Sequence, residues 1–150
     1  MTHRTGKAKI LVLAGLCTMA GACQQGEDAN LPGNLQDSQP FSGIAEDETI
    51  RLAGTEPFWG GTVEASIFTY TTPENMEGTV IPVTRFAGRG GVSFSGEVEG
   101  QEVVLAVTPG ECSDGMSGRT YPYTVTLQWG AEQRNGCGWS DSRPHDGAPA

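Results

Sequence analysis

Between residues 60 and 130 apolar side chains recur at every second position rather than every third or fourth. Val80-Ile81-Pro82-Val83-Thr84-Arg85-Phe86, Val92-Ser93-Phe94-Ser95-Gly96-Glu97-Val98 and Tyr121-Pro122-Tyr123-Thr124-Val125-Thr126-Leu127-Gln128-Trp129 alternate apolar with small or polar residues, the pattern of strands with one face covered. Shorter β-rich runs lie at 62–64, 67–71 and 103–108. Turn chemistry separates them: Thr72-Pro73-Glu74-Asn75, Gly88-Arg89-Gly90-Gly91, Glu99-Gly100-Gln101, Pro109-Gly110 and Gly130-Ala131-Glu132 supply Gly for positive φ or Pro for a preset φ. Pro82 and Pro122, near strand starts, predict sheet edges, because neither can donate to a ladder. No stretch of a dozen residues carries a helical stripe. The predicted class is all-β, a small antiparallel barrel or curled sandwich of seven to eight strands in about 90 residues.

The flanks have a different composition. Residues 24–47 are dominated by Gly, Pro, Gln, Asn and Asp with isolated apolar residues, which reads as a flexible tether with an r.m.s. reach of about 25 to 30 Å. Residues 140–150 read as a polar, disordered tail. One β domain, 48–139, is expected between them, without internal repeats.

Before the tether, Lys7 and Lys9 lead into an apolar run from Ile10 that ends in Ala20-Gly21-Ala22-Cys23. The run covers about thirteen residues with Gly15 and Gly21 inside it, whereas a spanning helix needs about 20. A basic start, a short apolar segment and small residues form a cleavable secretory signal, assigned to 1–22. Its ending at Cys23 resembles the lipobox of bacterial lipoproteins, although Ala20 stands where leucine is usual. The resemblance implies acylation of Cys23 with palmitate-type chains, each buried CH₂ contributing about 0.8 kcal/mol to anchoring. Gln24 is not the aspartate associated with inner-membrane retention, so the expected location is the outer membrane, facing the periplasm.

Loss of 1–22 would remove three of nine basic residues and none of the eighteen acids, leaving a net charge of −12 and no lysine. Such a chain is ill suited to nucleic acid, where phosphate neutralisation dominates, and is repelled by anionic lipid. A cationic partner is favoured by steering, and the same charge also serves solubility. Cys112 and Cys137 are the remaining cysteines, and in an oxidising periplasm a disulfide between them is the natural reading. His145, in the tail, is the single histidine after processing, so neither a zinc site nor a histidine-based nucleophile system is expected, and no metal or cofactor. Gly88-x-Gly90-Gly91 lacks the following helix of a phosphate cradle. Glu56 with Asp114 is the formal carboxylate pair for acid and base chemistry, but a solvated surface acid and a turn aspartate before Gly115 are the simpler account.

Two stretches stand out. Gly54-Thr55-Glu56-Pro57-Phe58-Trp59 and Cys112-Ser113-Asp114-Gly115-Met116-Ser117-Gly118-Arg119-Thr120-Tyr121-Pro122-Tyr123, together with Tyr70-Thr71-Thr72-Pro73 and Asn135-Gly136-Cys137, resemble a family of uncharacterised Gram-negative envelope lipoproteins. That resemblance covers about 90 residues and implies a small exported all-β domain with Cys112 paired to Cys137; it brings no catalytic residues. Phe58 or Trp59 is expected to plug the barrel end, or to line a pocket mouth where a ring and Glu56 grip a small ligand. Ser113, Asp114 and Gly115 form a disulfide-tethered turn, and Arg119 is expected to pair with Asp114 or Glu56; a loop already held by a disulfide also suits recognition.

Ser117-Gly118-Arg119-Thr120-Tyr121 is similar to the S-G-x-x-Y element of periplasmic inhibitors of c-type lysozyme, and the similarity implies Ser117 and Tyr121 as contact residues. Where those inhibitors carry Y-W-x-K-G, this chain has Leu127-Gln128-Trp129-Gly130 without the lysine. The expectation is a non-enzymatic lipid-anchored envelope protein that binds through one barrel end. A lysozyme inhibitor and a barrel for a small apolar ligand are the alternatives, and a carboxylate pair in a cleft would mark a glycan-acting enzyme.

Overall fold

The computed structural model describes residues 39–147. The signal segment, Cys23 and most of the expected tether lie outside them. Eight antiparallel strands follow in order: β1 (Ile50–Gly54), β2 (Gly60–Glu64), β3 (Ile67–Thr72), β4 (Asn75–Ala87), β5 (Val92–Val98), β6 (Gln101–Cys112), β7 (Tyr121–Trp129) and β8 (Glu132–Ser140). Each pairs with its chain neighbour, and β1 closes on β8 from Ile50 opposite Ser140 to Gly54 opposite Gly136. Of the two expected architectures, the molecule is the closed barrel, with one disulfide between Cys112 and Cys137.

Alternation explains the core. Ile50, Leu52, Val63, Phe68, Ile81, Val83, Val92, Phe94, Val103, Leu105, Val107, Tyr123, Val125 and Leu127 point inward and are at most 7% exposed. Each large apolar side chain so buried contributes about 1.5 to 3 kcal/mol. Eight strands enclose an interior just wide enough for side chains to fill. Between β5 and β6 the two-residue turn Glu99-Gly100 has positive φ at both positions, 52° and 77°, the conformation whose twist matches the flanking strands.

One strand, β8, escapes the alternation rule, and β1 follows it too briefly to stand out. β1 is only five residues long and adjoins polar chain, and β8 reads EQRNGCGWS. Register puts Gly136 and Gly138 opposite Val125 and Tyr123. A Cβ at Gly136 would stand 2.6 Å from the Ala53 carbonyl oxygen, so β8 is smooth where β1 approaches and its neighbours fill the space. The prolines also need correction, because a closed barrel has no edge strand. Pro82 ends the part of β4 that pairs with β3, just before Val83 begins pairing with β5. Pro122 faces the irregularity in β6 between Pro109 and Cys112. Pro109-Gly110, expected as a turn, therefore lies within β6, where the extra residue leaves no ladder position for the Pro122 nitrogen to fill.

The ordered body reaches past 48–139 on both sides. Ile44 is 1% exposed in the core, the Phe41 N–H donates to the Gly88 carbonyl (2.7 Å), and Arg85 Nη2 donates to the Ile44 carbonyl (2.8 Å). The tail returns so that Thr120 and Asp146 exchange backbone hydrogen bonds (3.0 and 2.8 Å). His145 packs 5.6 Å from both the Tyr121 and Trp139 rings. Because the strands run alternately up and down, loops 55–59, 73–74, 99–100 and 130–131 share an upper end. Loops 65–66, 88–91 and 113–120 share the lower end with both flanking segments.

Candidate functional site

At the upper end Trp59 is core, 5% exposed, while Phe58 beside it is 48% exposed. The Glu56-Pro57 peptide is cis. Gly54 donates its N–H to the Trp59 carbonyl (2.7 Å), and Trp59 Nε1 donates to the Asn135 carbonyl (3.2 Å). The indole lies against Gly54, where a Cβ would overlap the ring. It stacks on Tyr70 at 5.9 Å, and Tyr70 in turn meets Trp129 at 5.1 Å and the edge of Phe68 at 6.1 Å. Such aromatic pairs contribute about 0.5 to 1.5 kcal/mol beyond their burial. Four rings thus form a rigid floor under the upper loops.

Above that floor is a cleft of about 700 Å³ lined by Glu56, Pro57, Phe58, Tyr70, Thr72, Pro73, Glu74 and Arg134. Arg134 stands over the Tyr70 ring, 5.6 Å from its centroid, donates from Nη1 to the Tyr70 hydroxyl, and pairs with Glu132 (Nη2 to Oε2, 2.9 Å). The Glu132 hydrogen bond holds the guanidinium proton more tightly than usual, and the guanidinium in turn lowers the Glu132 carboxyl. Burial raises the Tyr70 phenol against the opposing pull of Arg134. The cation of the cleft is therefore already spent on Glu132 and Tyr70. Glu56 and Glu74 are both exposed, and neither carboxylate takes part in a hydrogen bond or ion pair among the described residues. The open charge of the site is negative.

At the lower end Asp114 organises the loop between β6 and β7. Its carboxylate accepts from Ser117 Oγ (2.7 Å), the backbone N–H groups of Ser117 (2.8 Å) and Met116 (3.0 Å), and the Tyr121 hydroxyl (3.1 Å). The Ser117 hydroxyl, then the two N–H groups, hold the Asp114 carboxyl down at about 2. The disulfide ties the end of β6 to β8 across the intervening β7, with Cα atoms 5.6 Å apart. Pro109, Glu111, Tyr121, Arg143 and Asp146 help line a second cleft here, of about 280 Å³.

The structure thus divides the sequence candidates into two groups. Glu56, Phe58 and Trp59 belong to the upper end, and Asp114, Ser117, Arg119 and Tyr121 to the lower. Glu56 and Asp114, expected as a formal acid and base pair, are at opposite ends. The expected ion pair of Arg119 does not form with either acid, because Asp114 is occupied by hydroxyl and N–H donors and Glu56 is beyond reach; Arg119 Nε is buried without a partner. Ser117 and Tyr121 turn their hydroxyls onto Asp114, and Tyr121 is 2% exposed.

Tyr70, Thr72, Glu74 and Arg134 complete the upper cleft and were not candidates. The Tyr70-Thr71-Thr72-Pro73 stretch carried a signal for the first two, whereas Arg134 sits in a strand with no alternation to mark it. Among the described residues no group of acids, histidines and cysteines could hold a metal ion, and no helix is long and apolar enough to cross a membrane. Comparison with family models, curated proteins and solved structures finds no match to this chain.

Proposed function

We propose that the protein is a non-catalytic lipoprotein of the Gram-negative envelope, anchored through acylated Cys23 in the outer membrane and facing the periplasm, whose upper cleft binds a cationic partner. One observation carries the reading: an exposed phenyl ring, Phe58, shares a cleft with two unpaired carboxylates, Glu56 and Glu74, while Arg134 is neutralised by Glu132. A ring beside solvated carboxylates suits the flat or aliphatic stem of an arginine or lysine, with its charge directed at the acids. The rigid aromatic floor keeps the ordering cost of such binding small.

A basic protein is the partner class, and c-type lysozyme is the probe. The cleft, rather than Ser117 and Tyr121, is the proposed contact, since those two hydroxyls are committed to Asp114. Calorimetric titration of the full chain with lysozyme is expected to show binding that a Glu56→Gln, Glu74→Gln double variant weakens about tenfold, two contacts of about 0.7 kcal/mol each. Ser117→Ala is expected to leave it unchanged. Loss of binding in Ser117→Ala with the double variant unaffected would move the contact to the lower loop.

A second reading, glycan hydrolysis, is favoured by the placement of Glu56 and Glu74 in one cleft. Both acids are exposed to solvent, an arrangement that suits contact with a charged partner. Release of soluble fragments from peptidoglycan, abolished by Glu56→Gln, would establish the enzyme instead.

A further inference from the structure

The outer wall of β3 and β4 is unlike the rest of this acidic molecule. Val80 and Phe86 are 62% and 67% exposed, Pro82 between them is exposed, and Ile67, paired with Pro82, is 38% exposed. The positions around them are Thr69 opposite Val80, Thr84, and Ser93 and Ser95 on β5 opposite Phe86 and Thr84. None of these carries charge; Glu64, paired with Ile67 on β2, and Glu97, two residues beyond Ser95 on β5, bound the stripe. Phe86 is six steps along the strand from Val80, so the apolar stripe is about 20 Å long.

The described chain also begins beside this stripe. Phe41 is bonded through its N–H to Gly88, two residues beyond Phe86 on the turn that ends β4, and Arg85 holds the Ile44 carbonyl. Fifteen residues, 24–38, separate Cys23 from the first described residue, Gln39. On the reading that Cys23 is acylated, only these fifteen residues, about 50 Å at full extension, join the anchor to the described chain.

We infer that the β3–β4 wall, through Ile67, Val80, Pro82 and Phe86, rests on the lipid surface to which the protein is anchored. The short tether supplies a high local concentration, so a modest apolar area is enough. Low charge along the middle of the stripe is the second requirement, because a chain of net charge −12 meets anionic headgroups with least repulsion through Val80, Pro82, Thr84 and Phe86, with Glu64 and Glu97 only at the margin. Shape decides between lipid and a second copy of the chain. Two convex barrel walls touch along a line and bury little, whereas a headgroup layer deforms around side chains that enter its acyl boundary by about 5 to 10 Å. This inference rests on the lipoprotein reading, and its test separates the two.

The full chain is produced in a Gram-negative host, acylation of Cys23 is measured by mass spectrometry, and the purified protein is reconstituted in vesicles of phosphatidylcholine brominated on the acyl chains. Phe86→Trp adds a fluorophore in the stripe and Gln133→Trp adds one on β8 across the barrel, each read as the difference from the parent chain with its native Trp59, Trp129 and Trp139. Strong quenching of the tryptophan at 86, with that at 133 little affected, is the expected result. Equal and weak quenching of both, in acylated protein that floats with the vesicles, would overturn the lipid contact while leaving the anchor intact. Chain without acyl groups that fails to float would remove the anchor and this inference together. Protection at 86 that grows with protein concentration and accompanies a crosslinked dimer would assign the face to a second copy, overturning the proposal.

Discussion

Adjacent residues 58 and 59, both in the loop between β1 and β2, take opposite roles. Trp59 is sealed among Tyr70, Gly54 and the Asn135 carbonyl, whereas Phe58 faces the cleft. Trp59→Ala is expected to cost about 3 to 5 kcal/mol in urea unfolding through lost burial and the cavity left. Phe58→Ala should change stability by no more than about 0.5 kcal/mol yet weaken binding of the cationic probe. Asp114 gives a pH signature. Its carboxyl is held at about 2 by Ser117, Met116 and Tyr121, below the ordinary 3.8, so the ionised form is favoured in the folded loop. The stabilisation is complete above the ordinary value and is lost as pH falls from about 4 toward 2. Carboxyl resonances followed by NMR are expected to show this low midpoint, and the loss of stability across that window is expected to vanish in Asp114→Asn.

At the scale of elements, the barrel is closed by parts outside its regular ladder. Ile44 arrives from a segment of tether-like composition and seals the lower end with Phe41. Ile44→Ala is expected to lower stability by about 2 to 5 kcal/mol, the range for truncating a buried large aliphatic side chain, in the same unfolding assay. The disulfide works by another route. With its cysteines 25 positions apart in the chain, it removes about 3.5 kcal/mol of chain entropy from the unfolded state. A Cys112→Ser, Cys137→Ser pair should lose about that much in chemical denaturation, and reductant should lower the unfolding midpoint of the parent chain but not of the double variant. β6 and β7 are also where local strand logic was least complete, since the irregularity after Pro109 lets β6 continue to Cys112.

For the whole molecule, the two ends of the barrel carry different chemistry and the wall a third. The upper cleft presents unpaired acids and a ring, the lower end is locked by Asp114 and the disulfide, and the β3–β4 wall carries an exposed apolar stripe. Association with a basic protein should therefore depend on salt through the overall field and the cleft together. Surface plasmon resonance is expected to show an association rate for lysozyme that falls at least about tenfold between 50 and 500 mM NaCl, as screening shortens the reach of the charges to a few ångströms. A dissociation rate that responds to Glu56→Gln while the association rate responds to salt would separate contact from steering.

What was legible in the sequence is what depends on neighbours along the chain. Alternation in β4, β5 and β7 marked strands because a pleat exposes every second residue, and Glu99-Gly100 marked a turn because its φ values are positive. Closure of β1 on β8, the separation of Glu56 from Asp114, the seating of Ile44 and the conjunction of Arg134 with Tyr70 were decided only in three dimensions. Each joins residues far apart in the chain, where local patterning carries no distance. β8 shows the reason most clearly: glycines make it nearly featureless as a string, and the same lack of side chains lets it lie between β1 and β7.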